Sequence, residues 1–102
     1  MAKKSKPFDA ARYLDSDEAI AAYITEALRT YDLQLVTHAI GVAAKAKGMT
    51  KIAEKTGLSR ESLYKALSAD GNPNFDTILR VVTALGLQLG AEPVSPSKKR
   101  AA

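Results

Sequence analysis

Between Ala53 and Leu67 the chain reads AEKTGLSRESLYKAL, two short helical patterns separated by one glycine, and this spacing constrains the fold more than any other feature. Two short helices that cross steeply need a turn so tight that one residue takes a left-handed backbone. Glycine takes it without a Cβ clash. The second helix passes directly over the residue four positions before the glycine, which must therefore be small, and Ala53 stands there. Apolar side chains are required just after Gly57 and six positions after it, and Leu58 and Leu63 supply them. Ile52 and Leu67 complete an inner surface. The outer face of the second helix is left free to enter a groove.

The rest of the folded chain also reads as helical. Asp15, with Glu18 three positions on, has the spacing of a capping box for a first helix after YLDS. Ile20, Tyr23, Ile24, Ala27, Leu28 and Tyr31 then recur at helical spacing as its apolar face. Asp32 caps a second helix, LQLVTHAIGVAAKAK, with Val36, Ala39, Ile40 and Ala43 inward and Gly48 as its stop. Gly41 within it either weakens an exposed helix by about 1 kcal/mol or marks a tight crossing. A short helix near Met49–Lys55, a turn at Thr56–Ser59 and a helix near Arg60–Leu67 capped by Ser59 follow. SADGNPN is a loop by composition. A fifth helix from about Phe75 to Leu85 should bury Phe75, Ile78, Leu79, Val82 and Leu85 and end at Gly86. The brief alternation of LQLGAE is compatible with a short C-terminal edge strand. No internal repeat is present.

At 102 residues the chain has room for one modest core. The expected organisation is a flexible basic tail over residues 1–7, a helical domain over 8–91 and a second flexible basic tail over 92–102. Without cysteine neither disulfides nor thiolate metal sites are available. MAKKSKPFD is basic but leads into no uninterrupted apolar stretch, so a signal peptide is not expected and the cytoplasm is the default. No segment approaches the roughly 20 apolar residues of a membrane span.

The net charge of +4 divides unevenly. Six positives sit in the tails, which leaves −2 for residues 8–97. Residues 8–44 hold two basic and six acidic groups, residues 45–65 six and two, residues 66–97 one and three. A basic segment of 21 residues against an acidic background indicates a surface that faces a polyanion.

With Leu63 inward, Glu61, Ser62 and Lys65 fall on the outer side of the second motif helix, Tyr64 at its edge and Arg60 in its leading turn. That turn meets base edges in such motifs. Arg60 can donate twice to guanine, worth roughly 1–3 kcal/mol of discrimination, or contact phosphate alone. Ser59 caps its helix and sits where a phosphate can be received, while Thr50, Lys51, Ser62 and Lys65 are candidate phosphate or base-edge donors. Glu61 has two readings: an exposed ion pair with Lys65 of about 0.3–0.5 kcal/mol, or acceptance of a hydrogen bond from cytosine. Tyr64 packs at the domain edge more readily than it stacks on a base. His38, the one histidine, lacks companions for a metal site and reads as a half-buried helix residue. Asp15, Asp17, Glu18 and Glu26 solubilise a helix face. No cofactor motif and no nucleophile–base arrangement is recognisable, so an enzyme is not expected.

MTKIAEKTGLSRESLYKAL, residues 49–67, resembles the helix-turn-helix of phage-repressor-type (Cro/C1, XRE-like) regulators, and NPNFDTILRVVTALGLQL resembles the helix that follows it there. With FDAARYLDSDEAIAAYITEAL included, residues 8–90 resemble addiction-module antidote proteins, antitoxins paired with small RelE/ParE-like toxins. One departure is Met49–Thr50, where many phage-type repressors begin the first motif helix with glutamine. The resemblance implies an all-α, five-helix, lambda-repressor-like domain. It implies a homodimer that binds double-stranded operator DNA, represses its own operon and neutralises its toxin, with no cofactor. Two other readings stand beside it: a free-standing phage-type repressor, and a helical interaction module that kept only the motif's shape. The acidic 8–44 segment is a candidate docking face for a basic toxin.

Overall fold

Side-chain caps mark where four of the five helices among the described residues begin; the helix that starts after Gly48 has none. The computed structural model describes residues 13–95. Within them run α1 (Asp17–Leu28), α2 (Leu33–Lys47), α3 (Met49–Thr56), α4 (Arg60–Ala66) and α5 (Phe75–Ala84). Asp32 Oδ1 accepts from the backbone N–H groups of Gln34 and Leu35 at 3.0 and 3.2 Å. Ser59 and Asn74 cap α4 and α5 in the same way. At α1 the cap is Ser16, whose hydroxyl accepts from the Ala19 N–H at 3.1 Å, and not Asp15. The frame shift removes the expected capping box, because the third helical residue is now Ala19. Asp17 and Glu18 stand in the first turn instead, where the helix dipole favours negative charge.

The turn from α1 to α2 reverses the chain, and Lys47 at the end of α2 reaches Asp17 at the start of α1 at 2.9 Å. The two helices are thus antiparallel. Gly48 ends α2 and leads directly into α3. Ile20, Ile40, Ile52, Leu63, Val81 and Leu85 are at most 2% exposed, so every helix or its cap contributes a large side chain to one core. Fully buried Ala43 and Ala44 keep the helices around α2 close. The two readings of Gly41 resolve as a crossing: a Cβ there would lie 3.1 Å from the Leu67 carbonyl oxygen.

Four expected core residues are exposed. Leu28 and Tyr31 lie at and beyond the last turn of α1, and Phe75 and Leu79 lie in the first half of α5. Periodicity assigns a side chain to a face, but it does not say how far along the helix neighbouring elements reach. Val81, Val82 and Leu85 are covered; Phe75, at the first helical position, is 67% exposed. His38 is exposed, not half-buried, on the rim of a depression lined also by Gly41, Val42, Lys45, Met49 and Tyr64. Leu87–Glu92 forms no strand. Leu87 and Leu89 are half-buried against the helical core, so the alternation reflects packing onto helices and not pairing with another strand.

Gly57 ends α3 with φ +79°. The nearest atom to an added Cβ is Arg80 Nη1 at 4.0 Å, so nothing clashes and the conformation alone disfavours other residues. Gly57→Ala should cost about 1–2 kcal/mol of stability, and Gly57→Asn less, read as denaturation midpoints. Equal midpoints for the three proteins would remove the strain argument. No helix among the described residues is long and apolar enough to cross a membrane. The expected basic tail 1–7, Phe8 and residues 96–102 lie outside the described residues.

Candidate functional site

The segment from α3 to α4 satisfies its turn from within and from α5. The Gly57 N–H donates to the Ala53 carbonyl at 3.0 Å, and the Leu58 N–H donates to Thr56 Oγ1 at 3.2 Å. Thr56 Oγ1 in turn donates to the Ala53 carbonyl at 3.3 Å. The Thr56 carbonyl, one of the unpaired acceptors at a helix end, receives Arg80 Nη1 at 3.0 Å. Arg80 is itself held by Asp76 through its Nε at 3.0 Å. Sequence reasoning missed this brace. The i,i+4 spacing of Asp76 and Arg80 was visible, but nothing local indicated that the guanidinium extends to another helix.

Beyond the turn, Ser59 Oγ accepts from the Ser62 N–H at 3.0 Å and donates to Ser62 Oγ at 2.9 Å. Leu63 is fully buried and Leu58 half-buried, with Ala53 half-buried beneath the turn. That register turns Arg60, Glu61, Ser62, Tyr64 and Lys65 outward, and all five are exposed, as are Ser59 and, on α3, Thr50 and Lys51. The predicted candidates therefore lie on the outer sides of two consecutive helices.

Tyr64 is 42% exposed and sits at the edge, as expected. Its ring has the Arg60 guanidinium 5.8 Å from the centroid and the Lys45 ammonium at 6.0 Å. Such contacts at exposed sites contribute about 0.5–1 kcal/mol and bias two long cationic side chains toward one place. Lys45 comes from α2 and was not among the predicted site residues. Only the packing of α2 beside α4, set by Gly41 and Leu67, brings it there. The expected Glu61–Lys65 ion pair is not formed: the ion pairs among the described residues are Arg29–Glu26, Lys47–Asp17 and Arg80–Asp76. An exposed i,i+4 attraction of a few tenths of a kcal/mol is offset by the entropy of fixing two flexible side chains. Glu61 stands in the first turn of α4, where a carboxylate is favoured by the helix dipole.

Fold and surface together define a small protein whose described residues are built from helices without strands and which presents a polar face of net positive charge on two consecutive short helices. The chain belongs to the family described as "Probable addiction module antidote protein", whose model matches residues 4–93. It is 46% identical over 88 residues to an uncharacterized protein of Haemophilus influenzae (strain ATCC 51907 / DSM 11121 / KW20 / Rd), covering 86% of this chain and 91% of that relative. No solved structure matches it.

Proposed function

We propose that the protein is the antitoxin of a type II toxin–antitoxin module, acting in the cytoplasm. It binds operator DNA as a homodimer through a helix-turn-helix formed by α3 and α4, represses its own operon and neutralises a small RelE/ParE-like toxin. Membership of the antidote family supports a regulatory role and a toxin partner in general. The DNA-binding part of the reading rests chiefly on one observation. Burial of Leu63 turns Arg60, Ser62, Tyr64 and Lys65 outward within a segment, residues 45–65, that carries six basic groups against two acidic ones.

In this reading α4 lies in the major groove. Arg60 in its leading turn reads a base, Glu61 lies within reach of a cytosine amino group, and Thr50, Lys51, Ser59, Ser62 and Lys65 hold the backbone. Ala53, Gly57, Leu58 and Leu63 set the angle of presentation, braced by Arg80. A homodimer reads a two-fold operator, since half-site symmetry mirrors protein symmetry.

A duplex from the protein's own promoter tests this in a mobility-shift titration. Arg60→Ala should weaken binding roughly 5- to 150-fold and relax preference at one base position. A uniform loss across sequences would reduce Arg60 to a phosphate contact, and no shift with the native protein would remove the DNA reading. Co-expression with a neighbouring small basic open reading frame separates the antitoxin from a free-standing repressor. The antitoxin should relieve that product's toxicity and co-purify with it, whereas a harmless neighbour that does not co-purify would favour the repressor.

A further inference from the structure

The cations of this chain divide into two sets. Among the described residues Arg29, Lys47 and Arg80 are each paired with a carboxylate, that of Glu26, Asp17 and Asp76 in turn. Lys45, Lys51, Lys55, Arg60 and Lys65 are not, and all five lie within residues 45–65. Four of them stand on α3 and α4. The fifth, Lys45, stands on α2, outside the helix pair assigned to DNA. Packing of the backbone carries it there. A Cβ on Gly41 would lie 3.1 Å from the Leu67 carbonyl oxygen, so α2 passes the end of α4 at close range. Lys45 is one turn on from Gly41 and Tyr64 one turn back from Leu67, each on the same face as its neighbour. The Lys45 ammonium accordingly lies 6.0 Å from the centroid of the Tyr64 ring, and the Arg60 guanidinium lies 5.8 Å from it.

The ring attracts both cations, but the cations repel each other, and no carboxylate relieves them. Glu61, the acid of α4, pairs with neither. The depression beside them is lined by His38, Lys45, Tyr64 and Ser68 above an apolar floor, with no carboxylate in its wall among the described residues. An anion is what this arrangement lacks, and its place on the molecule says which. Arg60 and Tyr64 belong to the face of α4 that the proposed function lays in the major groove. Arg60 stands in the leading turn and Tyr64 a turn later at the edge of that face. Lys45, meeting Tyr64 from α2, therefore sits at the side of the groove, where the sugar–phosphate strand runs. We infer that Lys45 contacts a phosphate of the operator backbone, and that Tyr64 is a positioning residue whose ring aligns Lys45 with that phosphate and Arg60 with the base edges; this rests on the DNA reading and extends its surface to a third helix. Lys45 adds one neutralised phosphate per protomer to those of Lys51 and Lys65.

The test is a mobility-shift titration of the full chain on a duplex from its own promoter, repeated over a series of salt concentrations. Lys45→Gln removes the charge at an exposed position. It should weaken binding alike for all sequences and reduce the slope of log binding constant against log salt by about two in the homodimer, one for each protomer. Tyr64→Phe keeps the ring and should bind as the native chain does. Tyr64→Leu keeps apolar bulk without the ring, and should lower both the slope and the preference at the base read by Arg60. Adding Lys45→Gln to Tyr64→Leu should then cost less than Lys45→Gln alone, as expected of coupled residues. Duplexes with one phosphodiester replaced by an uncharged methylphosphonate locate the contact: one position in each half-site should weaken the native chain and leave Lys45→Gln unaffected. A native slope for Lys45→Gln, or the absence of any such position, would overturn the phosphate contact while the native shift keeps the DNA reading. Equal losses for Tyr64→Phe and Tyr64→Leu at native unfolding midpoints would overturn the positioning role of the ring. No shift by the native chain would overturn the inference and the DNA reading together.

Discussion

Replacing Leu63 with alanine is expected to destabilise the protein by about 2–5 kcal/mol, whereas Tyr64→Ala, one position along α4, should cost under about 1 kcal/mol. Leu63 is fully buried in a core to which all the helices contribute, and Tyr64 has 42% of its surface in water. Removing the leucine leaves a cavity that the surrounding isoleucines and valines fill only in part. A domain of this size is stable by about 5–15 kcal/mol, and each kcal/mol shifts its unfolding midpoint by roughly 4–8 °C. Leu63→Ala should therefore melt at least ~8 °C lower, and the difference between the two variants is read by circular dichroism. Comparable losses at both positions would mean that α4 is rotated. Arg60 and Lys65 would then no longer share an outward face.

Raising the salt from 50 to 200 mM should weaken operator binding at least ~150-fold. Lys51 and Lys65, the cations that the proposed function assigns to the DNA backbone, are exposed on α3 and α4, and a homodimer doubles them to four. For these four neutralised phosphates alone the logarithm of the binding constant falls with the logarithm of salt at a slope of about −3.6. Lys51→Ala should leave sequence preference unchanged and reduce the slope by about two in the dimer, one for each protomer. A salt dependence near zero would exclude counterion release, and with it the assignment of this face to a polyanion.

Much of the helical framework was legible in the chain itself. Asp32, Ser59 and Gly57 act within four residues of their own positions, through hydrogen bonds and a backbone preference that local sequence carries. The span of α2 and the turn between α3 and α4 follow from them. The inward register of Ile52 and Leu63 followed from spacing. The α1 cap did not, because Asp15 and Ser16 are both competent and the placement of Leu14 in the core bears on which one faces the helix. At the candidate site the outward set was legible from the burial of one leucine. Its supports, Arg80 on the Thr56 carbonyl and Lys45 beside Tyr64, come from other helices.

The amino-acid sequence by itself determined five helices, the glycine turn, one apolar face per helix and the basic character of residues 45–65. These depend on interactions along the chain or on composition. Tertiary structure alone decided how much of each apolar face is covered. It buried Val81 and Leu85 but left Phe75 in water, it covered Ile24 and exposed Leu28, and it set Tyr31 at the far end of the α1–α2 hairpin. Coverage depends on where a neighbouring helix stops, which is a property of the assembled core and not of the segment it covers.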